Sequence, residues 1–214
     1  GSLYIFTEKT ALGITQASNV SFIICTAPLL TTILSLLFYK SEKASKGLIY
    51  GSLLALMGVG LIVFNGSFVL KISPIGDLLT LLAALSWAFY SLIIKKMAGR
   101  YPTIFITRKI FFYGVLTILP AFLLHPLHPD TVVLLQPAVL FNLLFLAVLA
   151  SLICYVLWNV VLKQLGTVRA SNYIYLNPLV TMIASFLILD EKITLVALDG
   201  AACIVCGVYW AEKK

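Results

Sequence analysis

The sequence predicts an all-α protein that crosses the membrane many times. Of its 214 residues, 61% are hydrophobic and 11% are charged, whereas a soluble domain carries about 45–50% apolar and about 25% charged residues. The apolar residues form long runs that are separated by short polar turns. A chain of this size cannot bury so much apolar surface in a core of its own. We therefore expect lipid to cover most of it.

The lengths of the apolar runs predict seven full membrane spans and one partial span. A helix needs about 20 apolar residues to cross the hydrocarbon core, and only a helix or a closed barrel satisfies its backbone hydrogen bonds in lipid. The partial span covers about Leu3–Ile14. The full spans are predicted at Ala17–Tyr39, Gly47–Phe64, Pro74–Ile94, Thr103–Leu124, Gln136–Leu162, Ala170–Leu189 and Ile193–Trp210.

The basic residues predict the orientation of these spans. The net charge is +7, but the Lys and Arg residues form short clusters between apolar runs, a pattern that argues against nucleic-acid binding. When the loops are assigned alternately to the two sides, twelve of the fifteen basic residues fall on one side. Cytoplasmic loops carry an excess of Lys and Arg, so we expect that side, and the C-terminus with it, to be cytoplasmic.

Cysteine and histidine give no signal for a disulfide framework or a metal site. All four cysteines lie inside apolar runs, where cysteine packs as a small hydrophobe. Cys203 and Cys206 have the spacing of a metal or redox pair, but the sequence has no second such pair. His125 and His128 fall in a predicted outer loop. We expect no bound metal and no cofactor.

An internal repeat is the most informative feature of the sequence. Four ordered blocks recur at an offset of about 150 residues. The matched blocks are Gly13–Asn19 with Gly166–Asn172, Pro28–Ser35 with Pro178–Ser185, Glu42–Lys43 with Glu191–Lys192, and the pair Gly51 and Gly58 with the pair Gly200 and Gly207. Four such blocks in the same order indicate a duplication.

The repeat predicts two domains. Residues 74–214 would form a complete second copy of five helices, and residues 1–73 would hold the last part of the first copy. Equal copies would place roughly 70–80 further residues, about two and a half helices, before Gly1. Because five is an odd number, the two copies would insert with opposite orientation. Inverted repeats of this kind are typical of secondary transporters, which bind substrate near the midplane.

Several motifs resemble those of the drug/metabolite transporter superfamily, and in particular its ten-helix EamA-like branch. They are Gly76-Asp77-Leu-Leu-x4-Ala84-Leu-Ser86-Trp87-Ala88-x-Tyr90, the Ala-Ser-Asn helix starts, the Pro-Leu pairs within helices, and the Glu-Lys pairs. The resemblance covers essentially the whole chain, although the first two helices and most of the third are absent from it. It implies a carrier in the plasma membrane, in bacteria the inner membrane, that mostly exports amino acids, related metabolites or toxic organic molecules.

Polar side chains deep in spans are the candidates for a substrate cavity, because they are costly in lipid unless they face a cavity or a partner. The candidates are Thr26, Trp87, Tyr90, Ser91, Arg108, Tyr155, Trp158, Asn159, Tyr173 and Asn177, with Pro28 and Pro178 predicted to kink their helices. Four of them keep a second interpretation. Trp87 and Tyr90 could pack in the core of the protein. Arg108, like Lys109, could extend its charge to the cytoplasmic interface, and Asn159 could bridge to a neighbouring helix.

A proton-coupled carrier needs a titratable group, and Glu8 is the carboxylate that lies within an apolar stretch. It adjoins Lys9 near the predicted outer end of a helix, which favours an exposed pair. No residue stands out as the coupling group.

The leading hypothesis is a passive or ion-coupled carrier of a small-molecule substrate, working by alternating access in a lipid bilayer. The alternative is a non-transporting assembly or regulatory membrane protein. An enzyme is not expected, because the sequence has no H-E-x-x-H or G-x-S-x-G motif. The substrate, the coupling ion and the oligomeric state stay open.

Overall fold

The structure, a computed structural model, describes residues 2–39, 45–64, 73–124, 134–189 and 193–213, and every regular element in these ranges is helical. The α-helices are α1 Ser2–Leu12, α2 Ala17–Ile24, α3 Ala27–Phe38, α4 Lys46–Phe64, α5 Pro74–Ala98, α6 Thr103–Leu124, α7 Pro137–Leu144, α8 Cys154–Leu165, α9 Thr167–Asn172, α10 Asn177–Leu189 and α11 Leu195–Glu212. A π-helical segment, Phe145–Ile153, joins α7 to α8, and a 3₁₀ turn, Tyr173–Leu176, joins α9 to α10.

Seven helical segments of the described residues are long and apolar enough to cross a membrane. They are Ala17–Phe38, Lys46–Phe64, Pro74–Ala98, Thr103–Pro120, Pro137–Leu165, Thr167–Ile188 and Leu195–Glu212. Their boundaries agree with the predicted spans to within a few residues. The prediction of an all-α protein that crosses the membrane many times is confirmed. Parts of the predicted loops around residues 40–44, 65–72, 125–133 and 190–192 lie outside the described residues.

Two spans change helical geometry immediately before a proline. Helix α2 ends at Ile24, and α3 begins at Ala27 with Pro28 in its first turn. In the later span the 3₁₀ turn ends at Leu176, and Pro178 lies in the first turn of α10. Proline has no N–H and clashes with the preceding turn inside a helix, but it fits the first turn well. The two interruptions therefore fall at equivalent places of the repeat.

The chain forms two compact units. The larger comprises residues 3–92 and 165–214, and the smaller consists mainly of residues 93–164. These units follow spatial proximity, whereas the repeat follows sequence, so the proposed domains 1–73 and 74–214 stay a prediction.

Glycine contacts between α4 and α11 form the centre of the larger unit. A Cβ atom added at Gly58 would lie 2.5 Å from the carbonyl oxygen of Gly200, and one added at Gly207 would lie 2.5 Å from the amide nitrogen of Ala55. A Cβ at Gly51 would collide with the backbone of Gly207 in the same way. Small residues let membrane helices approach this closely. Nothing larger than glycine fits at these positions.

The pairing of these glycines is reciprocal. In the repeat, Gly51 corresponds to Gly200 and Gly58 corresponds to Gly207. In the structure, Gly51 meets Gly207 and Gly58 meets Gly200. Gly51 thus contacts the repeat counterpart of Gly58, and Gly58 contacts the repeat counterpart of Gly51. A local two-fold axis between α4 and α11 produces this arrangement.

A carboxylate fixes the start of α5. Asp77 accepts hydrogen bonds from the backbone N–H of Ser73, at 3.2 Å, and from the hydroxyl of Thr15, at 3.3 Å. A Cβ at Gly76 would lie 2.8 Å from the Cβ of Thr15. Asp77 therefore satisfies a free N–H at the helix start and ties it to the turn before α2. This contact gives the Gly76-Asp77 pair of the sequence motif a structural role.

We expect Gly58→Ala to destabilise the protein by about 1–3 kcal/mol, the usual cost of an overpacked contact. The added methyl group would meet backbone atoms of α11, which cannot rotate away as a side chain would. The measurement is the midpoint of unfolding in detergent. Gly114→Ala is the matched control, because Gly114 also lies in a spanning helix and its Cβ would meet no atom within 4 Å. Equal midpoints for the two variants would contradict the close crossing.

Candidate functional site

A cavity of about 570 Å³ lies among the helices of the larger unit. Its volume is within the range of about 300–1,000 Å³ that is usual for small-molecule sites. Much of the wall is apolar and comes from side chains such as Leu12, Ile24, Ile62 and Val63. An apolar wall with a few polar groups is the usual composition of a ligand pocket.

The polar groups of the wall form stripes on three helices. Within each stripe the residues are three or four positions apart, so they share one helix face. They are Tyr4 and Glu8 on α1, Ser18 and Ser21 on α2, and Asn177, Thr181 and Ser185 on α10. The first two helices belong to the predicted first repeat and α10 belongs to the second. The cavity wall therefore draws on both repeats.

Glu8 is the charged side chain of this wall among the described residues. It is half-buried, and the hydroxyl of Tyr4 donates a hydrogen bond to its Oε1 atom at 3.3 Å. Lys9 is exposed and is not part of the wall. Successive residues of a helix point about 100° apart. The side chains of Glu8 and Lys9 therefore point in different directions, and the structure does not form the exposed Glu8–Lys9 pair that the sequence favours.

An aromatic cluster extends from the same wall. The ring centroid of Trp87 lies 5.4 Å from that of Tyr4 and 5.4 Å from that of Tyr90. The hydroxyl of Ser91 is buried and donates to the carbonyl oxygen of Trp87 at 3.0 Å. Of these three predicted site residues, Trp87 therefore contacts Tyr4 of the cavity wall, and none of the three is among the side chains that line the cavity.

A second cavity, of about 260 Å³, lies at the other end of α4. Leu48 lines this smaller cavity and Val63 lines the larger one. At about 1.5 Å per residue, the two positions are about 22 Å apart along the helix. The charged residues among those that line the smaller cavity are Arg169, Glu212 and Lys213.

Buried polar side chains of the larger unit lie close to the glycine crossing. The hydroxyl of Ser52, next to Gly51, donates to Oδ1 of Asn172 at 3.4 Å, and both residues are almost fully buried. Tyr175 is also fully buried and packs with the apolar cluster around Val59 and Ile204. These contacts join α4, α9 and α11.

Comparison with known proteins decides the family. A family model described as the EamA-like transporter family matches residues 74–211, which is more than half of the chain. The chain belongs to the EamA-like transporter family. It is therefore a multi-pass membrane transporter of the drug/metabolite transporter superfamily.

Relatives of this EamA-like chain carry transporter names. An uncharacterized transporter of Archaeoglobus fulgidus is 30% identical over 215 residues, which cover 99% of this chain and 72% of the relative. A probable amino-acid metabolite efflux pump of Salmonella typhimurium is 29% identical over 182 residues, covering 80% of this chain and 60% of the relative. One solved crystal structure has the same fold, with a TM-score of 0.84 at 18% identity over 98% of this chain and 71% of that one.

The predicted site residues of this EamA-like protein do not all lie together. Asn177 and Pro178 both line the larger cavity. Tyr173 is 41% exposed, and the hydroxyl of Thr26 donates to the carbonyl oxygen of Ile23 at 2.6 Å. Neither lines this cavity. Their roles in binding stay predictions.

The remaining predicted residues belong to the smaller unit. Asn159 is buried and its Nδ2 atom donates to Oγ1 of Thr107 at 2.9 Å. Four residues earlier, the ring of Tyr155 meets that of Phe111 with centroids 5.6 Å apart. Asn159 thus forms the bridge between helices that the sequence left open as its second interpretation. Trp158 is half-buried on the same helix.

Arg108 and Lys109 of the EamA-like chain pack against aromatic rings. The Arg108 side chain is exposed, and its guanidinium carbon lies 5.5 Å from the centre of the Phe105 ring. The Lys109 ammonium lies 5.9 Å from the centre of the same ring. Neither basic residue is among those that line the larger cavity.

Several residues of the cavity are absent from the sequence-based set of candidates. They are Tyr4, Glu8, Ser18, Ser21, Thr181 and Ser185. The signal for two of them, Thr181 and Ser185, was helical spacing, because they follow the candidate Asn177 at intervals of four residues. Serine and threonine in membrane helices also bond to their own backbone, as Thr181 does to the carbonyl oxygen of Asn177 at 3.0 Å. A single serine or threonine in a predicted span is therefore not by itself a signal for a binding site.

We expect the Asn159–Thr107 hydrogen bond to contribute about 0.6 kcal/mol to stability, the average for such bonds in membranes. The measurement is a double-mutant cycle with Asn159→Ala and Thr107→Val, read as free energies of unfolding. A coupling energy near zero would show that the two side chains do not interact. The hydroxyl of Thr107 also donates to the carbonyl oxygen of Thr103, and the cycle removes that separate contribution.

Proposed function

We propose that this transporter exports small organic metabolites across the plasma membrane, with amino acids, related compounds or toxic organic molecules as the substrate class. The observation that carries the proposal is the cavity of about 570 Å³, whose polar stripes come from both repeats. Two relatives, from Salmonella typhimurium and Escherichia coli, are named probable amino-acid metabolite efflux pumps. Those names support both the export direction and the substrate class.

The proposed mechanism is alternating access between inverted repeats. The two cavities lie at opposite ends of α4, and the glycine crossing and the buried Ser52–Asn172 hydrogen bond lie between them. This arrangement fits a carrier that opens to one side at a time. The larger cavity lies at the end of α4 that the charge pattern assigns to the outside. In this conformation it would take up or release substrate there.

The repeated proline motif supports this mechanism through its unequal exposure. Thr181 and Ser185 of the second copy line the larger cavity. Their counterparts in the first copy, Thr31 and Ser35, are 0% exposed. In an inverted repeat, the opposite conformation would exchange these environments. Thr31 and Ser35 would then line a cavity that opens to the cytoplasm.

Filling the larger cavity should abolish transport. Thr181→Trp places a bulky ring in the wall, and we expect saturable flux to fall to background. The measurement is counterflow of labelled amino acids and cationic dyes in proteoliposomes. Thr117→Trp is the matched control, since Thr117 is also an exposed helical threonine whose hydroxyl bonds four residues back, to Tyr113. Saturable flux through Thr181→Trp at the wild-type rate would refute this cavity as the site. No saturable flux of any compound by the folded wild-type protein would refute the transport proposal.

The proposed orientation, with the C-terminus in the cytoplasm, can be checked by labelling. Gly99→Cys lies in the turn between α5 and α6, and Gln16→Cys lies in the turn before α2; both positions are exposed. In intact cells a membrane-impermeant maleimide should label Gln16→Cys and spare Gly99→Cys, because the basic loops face inward. The unmodified chain, whose four cysteines lie within the spanning segments, gives the background. The reverse labelling pattern would contradict this orientation.

A further inference from the structure

We infer that Glu8 recognises a protonated amine, so that the transported molecule is a small organic compound with an ammonium group. This inference rests on the proposed transport function and narrows its substrate class. Among the described residues that line the larger cavity, Glu8 is the charged one, and none of them is a lysine or an arginine. The described part of the wall therefore presents a negative charge.

The contacts of Glu8 leave its charge available to a ligand. Within the described part of the chain, its hydrogen-bond partner is the hydroxyl of Tyr4, and no basic side chain lies within ion-pair distance. A carboxylate has about four acceptor positions on its two oxygens, so one neutral hydroxyl does not use its capacity. Glu8 lies on α1, the predicted partial span, and an ionised side chain within a membrane usually pairs with a partner or marks a substrate pathway.

The surroundings of Glu8 also suit an ammonium group. The Tyr4 side chain lines the cavity beside the carboxylate, and the Trp87 ring packs against it with centroids 5.4 Å apart. Aromatic faces attract cations, and the attraction is larger in sites that exclude water. Uncharged donors and acceptors on α10, such as Asn177 and Thr181, remain for the rest of the molecule.

The same wall argues against a free carboxylate on the ligand. No lysine or arginine among its described residues could pair with one, and Glu8 would repel it. We therefore expect a cation to be preferred to a zwitterion, and a zwitterion to an anion.

The test uses three ligands with one scaffold and different charge. Phenylalaninamide carries an ammonium group alone, phenylalanine carries both charges, and N-acetylphenylalanine carries a carboxylate alone. Binding is measured by competition with a labelled cationic dye on the purified protein in detergent, and counterflow is measured in proteoliposomes. We expect phenylalaninamide to compete at least about tenfold better than N-acetylphenylalanine, since a charge-assisted hydrogen bond is worth at least one factor of ten.

Variants assign this preference to Glu8. Glu8→Gln keeps the shape and removes the charge, and it should weaken the binding of phenylalaninamide by about tenfold or more while leaving N-acetylphenylalanine unchanged or improved. Glu8→Asp keeps the charge and should retain part of the preference, which shows that the site still folds. Asp199→Asn, at an exposed carboxylate of α11 that is not among the residues lining the cavity, should behave as wild type.

The outcomes separate this inference from the transport proposal. Saturable flux of these or other panel compounds with no preference for the cation, or with a preference that Glu8→Gln leaves intact, would overturn the role of Glu8 and leave transport in place. Absence of saturable flux for every compound, with the wild-type protein folded, would overturn transport and the inference together.

Discussion

The packing of the larger unit depends on the distance between α4 and α11. At the crossing the backbones of Gly51 and Gly58 lie against those of Gly207 and Gly200, with no room for a Cβ atom. Lipid tails are as apolar as the side chains they would replace, so membrane helices associate through close contact and hydrogen bonds. The apolar cluster around Val59 and Ile204 and the Ser52–Asn172 hydrogen bond both occur beside this crossing.

The proline interruptions make polar groups available in the middle of the membrane. An unbroken helix satisfies its own backbone, so a functional site in lipid has to come from side chains or from helix breaks. Here the 3₁₀ turn that ends at Leu176 is followed by the stripe Asn177, Thr181 and Ser185, which lines the larger cavity. The equivalent break before Pro28 is followed by Thr31 and Ser35, which are buried. The same sequence motif thus lines a cavity in the second copy and is buried in the first.

Span number and position could be predicted from the sequence because they depend on hydropathy along the chain. The missing N–H of proline predicts a kink at Pro28 and Pro178, and the structure starts a new helix with each of them in its first turn. The identity of the cavity wall could not be predicted, because it depends on which face each helix turns inward. Glu8 and Lys9 are neighbours in sequence, yet one lines the cavity and the other is exposed. Asn159 shows the opposite case, where a candidate for substrate binding has its partner in Thr107.

The spans of the two units differ in a way that bears on how the protein enters the membrane. Pro137–Leu165, which contains the π-helical segment, has a mean hydropathy of 2.6, and none of its most apolar stretch is buried by the protein. Thr167–Ile188, which carries the polar stripe of the cavity, has a mean hydropathy of 1.2. The first span is apolar enough to partition into lipid without neighbouring helices. The second carries polar residues that are costly in lipid, so we expect its insertion to depend more on neighbouring helices than that of the first.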